Sequence, residues 1–147
     1  MRRAVPILAA LTALAACGNP APSATREPSA TIRLAAVPGR PAAGYLSLIV
    51  RGDRGALLSV ASPQAGRIEM HETMSSGNMT SMRPLERIPV RDGETLSFTP
   101  GGRHLMLFDL DRRVPAGGRV TLVFNFERGG AETLSAAVVP TGGDVGP

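Results

Sequence analysis

The sequence predicts a single all-β domain, a sandwich or barrel, over residues 31–140. Three observations predict it. Short apolar runs, alternating or continuous, recur at spacings of about ten residues. Turn-forming clusters separate them: Pro38-Gly39, Gly52-Asp53, Ser62-Pro63, Asp92-Gly93, Pro100-Gly101-Gly102, Pro115 to Gly118 and Gly129-Gly130. No apolar stripe with helical spacing persists for three turns.

The chain opens on an address. Arg2-Arg3 precedes an apolar run, Ala4 to Ala13, that is shorter than the roughly 20 residues a membrane-spanning helix needs. Leu14-Ala15-Ala16-Cys17 then resembles a bacterial lipoprotein signal, in which small residues precede a cysteine that receives lipid. Residues 1–16 are read as the signal peptide and excluded from the fold. Cys17 is read as the lipidation site and residues 17–30 as the lipidated cysteine and a flexible tether, rich in Pro and small polar residues. Cys17 is the only cysteine, so no intrachain disulfide is available.

The strands follow in order. Thr31 to Leu34 alternates, and Tyr45 to Val50 and Ala56 to Ala61 are near-continuous apolar runs. Arg67 to His71 alternates with Ile68 and Met70 on one face. Glu94 to Thr99 pairs Leu96 with Phe98. His104 to Phe108 is a site-bearing strand with Leu105 and Leu107 toward the core. Val120, Leu122, Phe124 and Phe126 make the clearest period-2 stripe, and Thr133 to Val139 closes the domain. Residues 141–147 read as a loose tail. The stretch Met74 to Met82 is polar and turn-like, and is expected to be a loop carrying thioethers over the site.

Composition excludes several functions. The 16 basic residues are all Arg and face 12 acidic ones; without Arg2 and Arg3 the excess is two. With no Trp and one Tyr there is no stacking platform for bases, so no nucleic-acid partner is expected. His71-Glu72 lacks the second His four residues on that a zinc protease helix needs, since Ser75 stands there. Asp109 and Asp111 read as solvated strand-end charges. No nucleophile–base pair or catalytic carboxylate pair is evident, so the chain is read as not an enzyme.

The chemistry concentrates in His71, Met82, His104 and Met106. The chain has two histidines, and five of its six methionines lie between residues 70 and 106. Imidazole and thioether together suit a soft monovalent metal, Cu(I), and suit zinc, calcium or magnesium poorly. His104 and Met106 are two apart on a strand and share a face. His71 points opposite to Met70, so His71 is taken as the ligand and Met70 as core. Met70 and Met79 stay as candidate further donors, with Met74 in the same setting as Met79. A blue-copper centre needs a Cys thiolate beside two His. The domain has none, which argues against electron transfer.

The spacing from His71 over ten residues to Met82, over twenty-one to His104 and over one to Met106 resembles the signature of the periplasmic copper chaperone family called PCu(A)C. Ala43-Gly44-Tyr45, Glu69-Met70-His71-Glu72, Pro100 to Leu107 and Gly118 to Leu122 agree with it. The resemblance implies a cupredoxin-like Greek-key β-sandwich or barrel. It implies one Cu(I) held by His71, Met82, His104 and Met106. It further implies copper delivery toward cytochrome c oxidase, with a Sco-type thiol protein or an oxidase subunit as acceptor. The chain departs from family members in having Arg51 near a position where many carry Asn, in lacking a His- and Met-rich tail, and in its lipoprotein signal. The expected protein is a monomeric domain, lipid-anchored in the bacterial cell envelope and facing the periplasm. Two other readings share parts of this pattern: a copper-buffering or resistance lipoprotein with the same site, and a structural β-sandwich lipoprotein.

Overall fold

The computed structural model of the protein describes residues 28–145. The expected signal peptide, Cys17, and the tether as far as residue 27 lie outside the described residues, as do 146 and 147.

Ten strands build the molecule: β1 (Ser29–Arg33), β2 (Ala42–Ile49), β3 (Ala56–Ala61), β4 (Ala65–Ser76), β5 (Met79–Pro84), β6 (Ile88–Pro89), β7 (Thr95–Phe98), β8 (Arg103–Leu110), β9 (Arg119–Phe126) and β10 (Ala131–Val139). Among the described residues there is no helix. The strands join in the order β5-β4-β8-β2-β1-β10-β9-β3-β6, with β7 on β2. Neighbours that are distant in sequence, such as β8 beside β2 and the parallel pair β1–β10, show that connections cross from one layer to the other.

β2 is the strand on which the sheet folds over. Its first residues pair with β8 and its last with β7, while its other edge holds β1. Six of its eight residues are buried, as its continuous apolar run requires. Gly44 sits where β2 passes Ile32, Leu105 and Leu107. A β-carbon there would stand 3.0 Å from the Leu105 side chain, so the close approach of three strands depends on glycine. The core between the layers holds Ile32, Leu48, Leu96, Phe98, Leu105, Leu107, Leu122 and Phe124, all at most 1% exposed. The Val120-to-Phe126 stripe lies wholly inside. β3 packs beside β4 without a hydrogen-bonded ladder, leaving a seam cleft of about 190 Å³ that Leu58, Ile68 and Leu85 line.

The structure corrects one local expectation. Met74 to Met82 is not a loop: β4 runs on to Ser76, turns at Gly77-Asn78, and returns as β5. Gly77 takes φ +58°, and the two-residue turn with Gly first is a type II′ arrangement suited to the twist of a hairpin. The arm projects beyond the core, and every β5 residue is exposed. With no face to bury, the arm shows no hydrophobic alternation, which is why its sequence reads as loop. β6, two residues with a proline, was likewise invisible as a strand.

Candidate metal centre

Register decides which side chains meet. In an antiparallel sheet, directly opposed residues project from the same face. His71 of β4 lies opposite His104 of β8, and Glu69 lies opposite Met106. On the other side of β4, His71 lies opposite Pro84 and Thr73 opposite Met82. His71, Met82, His104 and Met106 therefore occupy one face across β5, β4 and β8. His71 is at the centre, with Met82 and Met106 on its two diagonals. Diagonal neighbours stand about 7–8 Å apart, within reach of a long thioether arm.

The other methionines face away. Met70 is 5% exposed and packs in the core, opposite Leu105. Met74 lies opposite Ser81 and Met79 opposite Ser76, which places both on the reverse face of the arm, in line with Met70. Both are exposed. The hairpin thus brings Met82 to the two histidines and leaves Met70, Met74 and Met79 on the opposite side.

The two imidazoles are neighbours on this face. Their ring centres are 6.0 Å apart and their planes tilted by 34°. A nitrogen about 2.0 Å from an ion puts the ring centre roughly 3 Å from it, so two rings sharing one ion at a tetrahedral angle stand about 5 Å apart. The observed separation exceeds that by about 1 Å. His104 is buried, and its Nδ1–H donates to the Gly102 carbonyl at 3.1 Å, which leaves the Nε2 lone pair free. His71 uses its opposite nitrogen: Nε2–H donates to Glu69 Oε2 at 2.9 Å. Its Nδ1 is buried and has no hydrogen-bond partner. An orphaned, buried nitrogen lone pair is costly unless something fills it, and a metal ion is an occupant that fits.

Glu69 is itself held. Arg67 Nε lies 2.9 Å from Glu69 Oε1, and the Arg67 guanidinium stacks on Phe108 at 4.3 Å. Phe108, Arg67, Glu69 and His71 form a continuous row on the donor face. Sequence reasoning missed Glu69 and Arg67. The available signal was their period-2 placement with His71 on the same strand. On the reverse face, Glu72 serves two guanidiniums, Arg83 at 2.8 Å and Arg103 at 3.8 Å. Among the described residues no three of His, Cys, Asp or Glu gather as a metal cage.

Asp109 and Asp111 lie toward the far end of β8, lining a separate cleft of about 390 Å³ with Leu34, Val37 and Arg40. Arg113 binds Asp111 through side chain and backbone and holds its carboxyl down to about 2. Neither aspartate joins the histidine face.

The family described as "Putative lipoprotein LpqE-like" matches residues 26–138. A curated relative, "Putative lipoprotein Lxx21020" of Leifsonia xyli subsp. xyli, is 28% identical over 56% of this chain; the chain spans about half (50%) of that relative's length. A solution structure of the Cu(I) form of DR1885 from Deinococcus radiodurans is 29% identical and superposes with a TM-score of 0.57, covering 77% of this chain and 76% of that one. A copper-bound PCuAC domain from PmoF2, at 22% identity, gives a TM-score of 0.61 over 77% of this chain and 91% of the domain. The all-strand architecture is that of these cupredoxin-like domains.

Proposed function

Because the chain belongs to the LpqE-like, PCuAC-type family, we propose that it is a carrier of Cu(I) outside the cytoplasm. One ion is held by His71, Met82, His104 and Met106. The observation that supports this most is the single-face row of those four donors around an orphaned His71 Nδ1. The Cu(I) form of the Deinococcus relative supports the choice of metal.

The donor set suits a carrier. Uncharged imidazole and thioether ligands favour Cu(I) over harder ions without the grip of thiolates. Met82 is 59% exposed and sits on the outermost strand, so one ligand is reachable by an acceptor while the histidines hold the ion from below. Thiolates on an acceptor would then take the metal by stepwise exchange. The acceptor we assign is a Sco-type thiol protein or a cytochrome c oxidase subunit, and the destination is the oxidase copper centres. The protein acts as a monomeric carrier and not as an enzyme.

Lipid on Cys17 would anchor the domain to a bacterial membrane on its periplasmic side, with a tether that ends where β1 begins at Ser29, two residues before the boundary the sequence suggests, a copper-binding domain running from there to 140, and 141–147 as tail. The lipoprotein names of the family and of the Leifsonia relative support an envelope location.

The test is an anaerobic Cu(I) titration of the chain from Thr25 onward against a competing chelator. One tight equivalent is expected, weakened more than tenfold by His104→Ala and by the pair Met82→Leu, Met106→Leu. Wild-type protein that fails to compete overturns the proposal.

A further inference from the structure

The donor row runs off the free edge of the sheet, and this edge carries a specific backbone pattern. The Met70 carbonyl accepts from Leu85 N–H at 2.8 Å, and Thr73 N–H donates to the Gly102 carbonyl at 3.1 Å. Even-numbered β4 residues thus turn their amide groups toward β5, and odd-numbered ones toward β8. On β5, the partners of Glu72, Met74 and Ser76 are Arg83, Ser81 and Met79, which bond back to β4. Thr80 and Met82 direct their N–H and C=O groups outward. Pro84, which has no N–H, occupies the same outward register and limits the open edge to these two residues. Among the described residues, no backbone bond outside the β4–β5 ladder reaches Met79–Pro84.

Charge marks the same edge. Glu72 is shared by Arg83 and Arg103, so this row carries one net positive charge, and the Arg83 side chain is 58% exposed. Arg83 is adjacent to Met82 and faces the reverse side.

We propose that the copper acceptor docks as an extended strand on the edge of β5, antiparallel to Thr80–Arg83, with a cysteine opposite Met82 and a carboxylate opposite Arg83. This rests on the Cu(I)-carrier reading. A residue hydrogen-bonded opposite Met82 has its side chain on the donor face, with α-carbons about 5.5 Å apart. The acceptor thiol loses its proton to solvent, and its thiolate forms a Cu–S bond as the bond from Met82 Sδ breaks. Copper remains Cu(I) throughout, so no oxidant or reductant is required. In an antiparallel strand the residue opposite Arg83 is the one before the cysteine, which predicts an acidic residue followed by Cys in the acceptor.

The test uses the full-length chain loaded with Cu(I) and three end-blocked peptides. These are Thr-Val-Glu-Cys-Val-Thr, the same peptide N-methylated at Cys, and one with Lys in place of Glu. Losing the hydrogen bond from the cysteine N–H to the Met82 carbonyl is expected to slow copper transfer up to about tenfold, and the Lys peptide is expected to be slower than the parent. Amide shifts on adding the parent peptide are expected at Thr80 to Arg83. Thr80→Pro in the protein should slow the parent peptide similarly, with copper affinity changed less than twofold. Equal rates for the parent and N-methylated peptides, shifts centred elsewhere, or Thr80 and Met82 amides already protected from exchange in the free protein would overturn the docking proposal. That last result would point to the chain's own N-terminal segment or a second copy on the edge. Copper affinity, read by chelator competition on the same sample, separates the two failures. Absence of bound copper overturns the carrier reading, whereas bound copper with equal transfer rates overturns only the docking.

Discussion

Replacing Glu69 should weaken copper binding although Glu69 is not counted among the ligands. Its Oε2 takes the Nε2 hydrogen of His71 at 2.9 Å and so keeps the hydrogen on Nε2, leaving the buried Nδ1 with a lone pair to offer. Partners that orient a metal-bound histidine are worth roughly 10–100-fold in affinity. Glu69 belongs at the lower end of that range. Its side chain is 37% exposed, and Arg67 shares its charge, so solvent and the guanidinium both soften its hold on the imidazole. We expect Glu69→Ala to weaken Cu(I) binding about tenfold, or about 1.4 kcal/mol. Glu69→Gln keeps a side-chain oxygen and should recover most of that loss. The assay is anaerobic chelator competition, paired with ¹⁵N shifts of His71 to read which ring nitrogen carries hydrogen. Affinity within twofold of wild type in Glu69→Ala, with the His71 tautomer unchanged, would refute the argument.

Met74→Ser with Met79→Ser should leave Cu(I) affinity within twofold, because both side chains lie on the reverse face; a tenfold loss would place one of them in the site. Gly77→Val forces a β-branched residue to φ +58° at the hairpin turn. This should cost about 1–2 kcal/mol and raise hydrogen exchange at β5 amides; unchanged exchange would contradict the turn geometry. Leu122→Ala removes a fully buried side chain and should lower unfolding stability by about 2–5 kcal/mol in urea. Arg113→Ala should let the Asp111 carboxyl rise from about 2 toward 3.8, read by its NMR titration.

The strands that were legible in the sequence bury a face. Val120 to Phe126 alternates because every second residue enters the core, and Tyr45 to Val50 is continuous because β2 is covered on both sides. The β4–β5 arm was illegible for the converse reason. It extends past the core, holds its shape through its turn and ladder, and exposes nearly all its side chains, so hydrophobic pattern has nothing to report. The candidate site divides in the same way. His104 and Met106 share a face by strand period alone, and Met70 could be assigned to the core because it alternates with His71. That Met82 and not Met79 joins the histidines depends on cross-strand register, which is fixed by a two-residue turn that the loop reading did not contain. The Phe108–Arg67–Glu69 row needed the pairing of β4 with β8 before its members became neighbours.

The central claim is that one face gathers two imidazoles and two thioethers around a single copper. X-ray absorption at the copper edge of the Cu(I)-loaded protein tests it most directly. Two sulfur scatterers at about 2.3 Å and two nitrogens at about 2.0 Å are expected, with sulfur falling to one in Met82→Leu and to one in Met106→Leu. A shell without sulfur, or one unchanged by both substitutions, would contradict it.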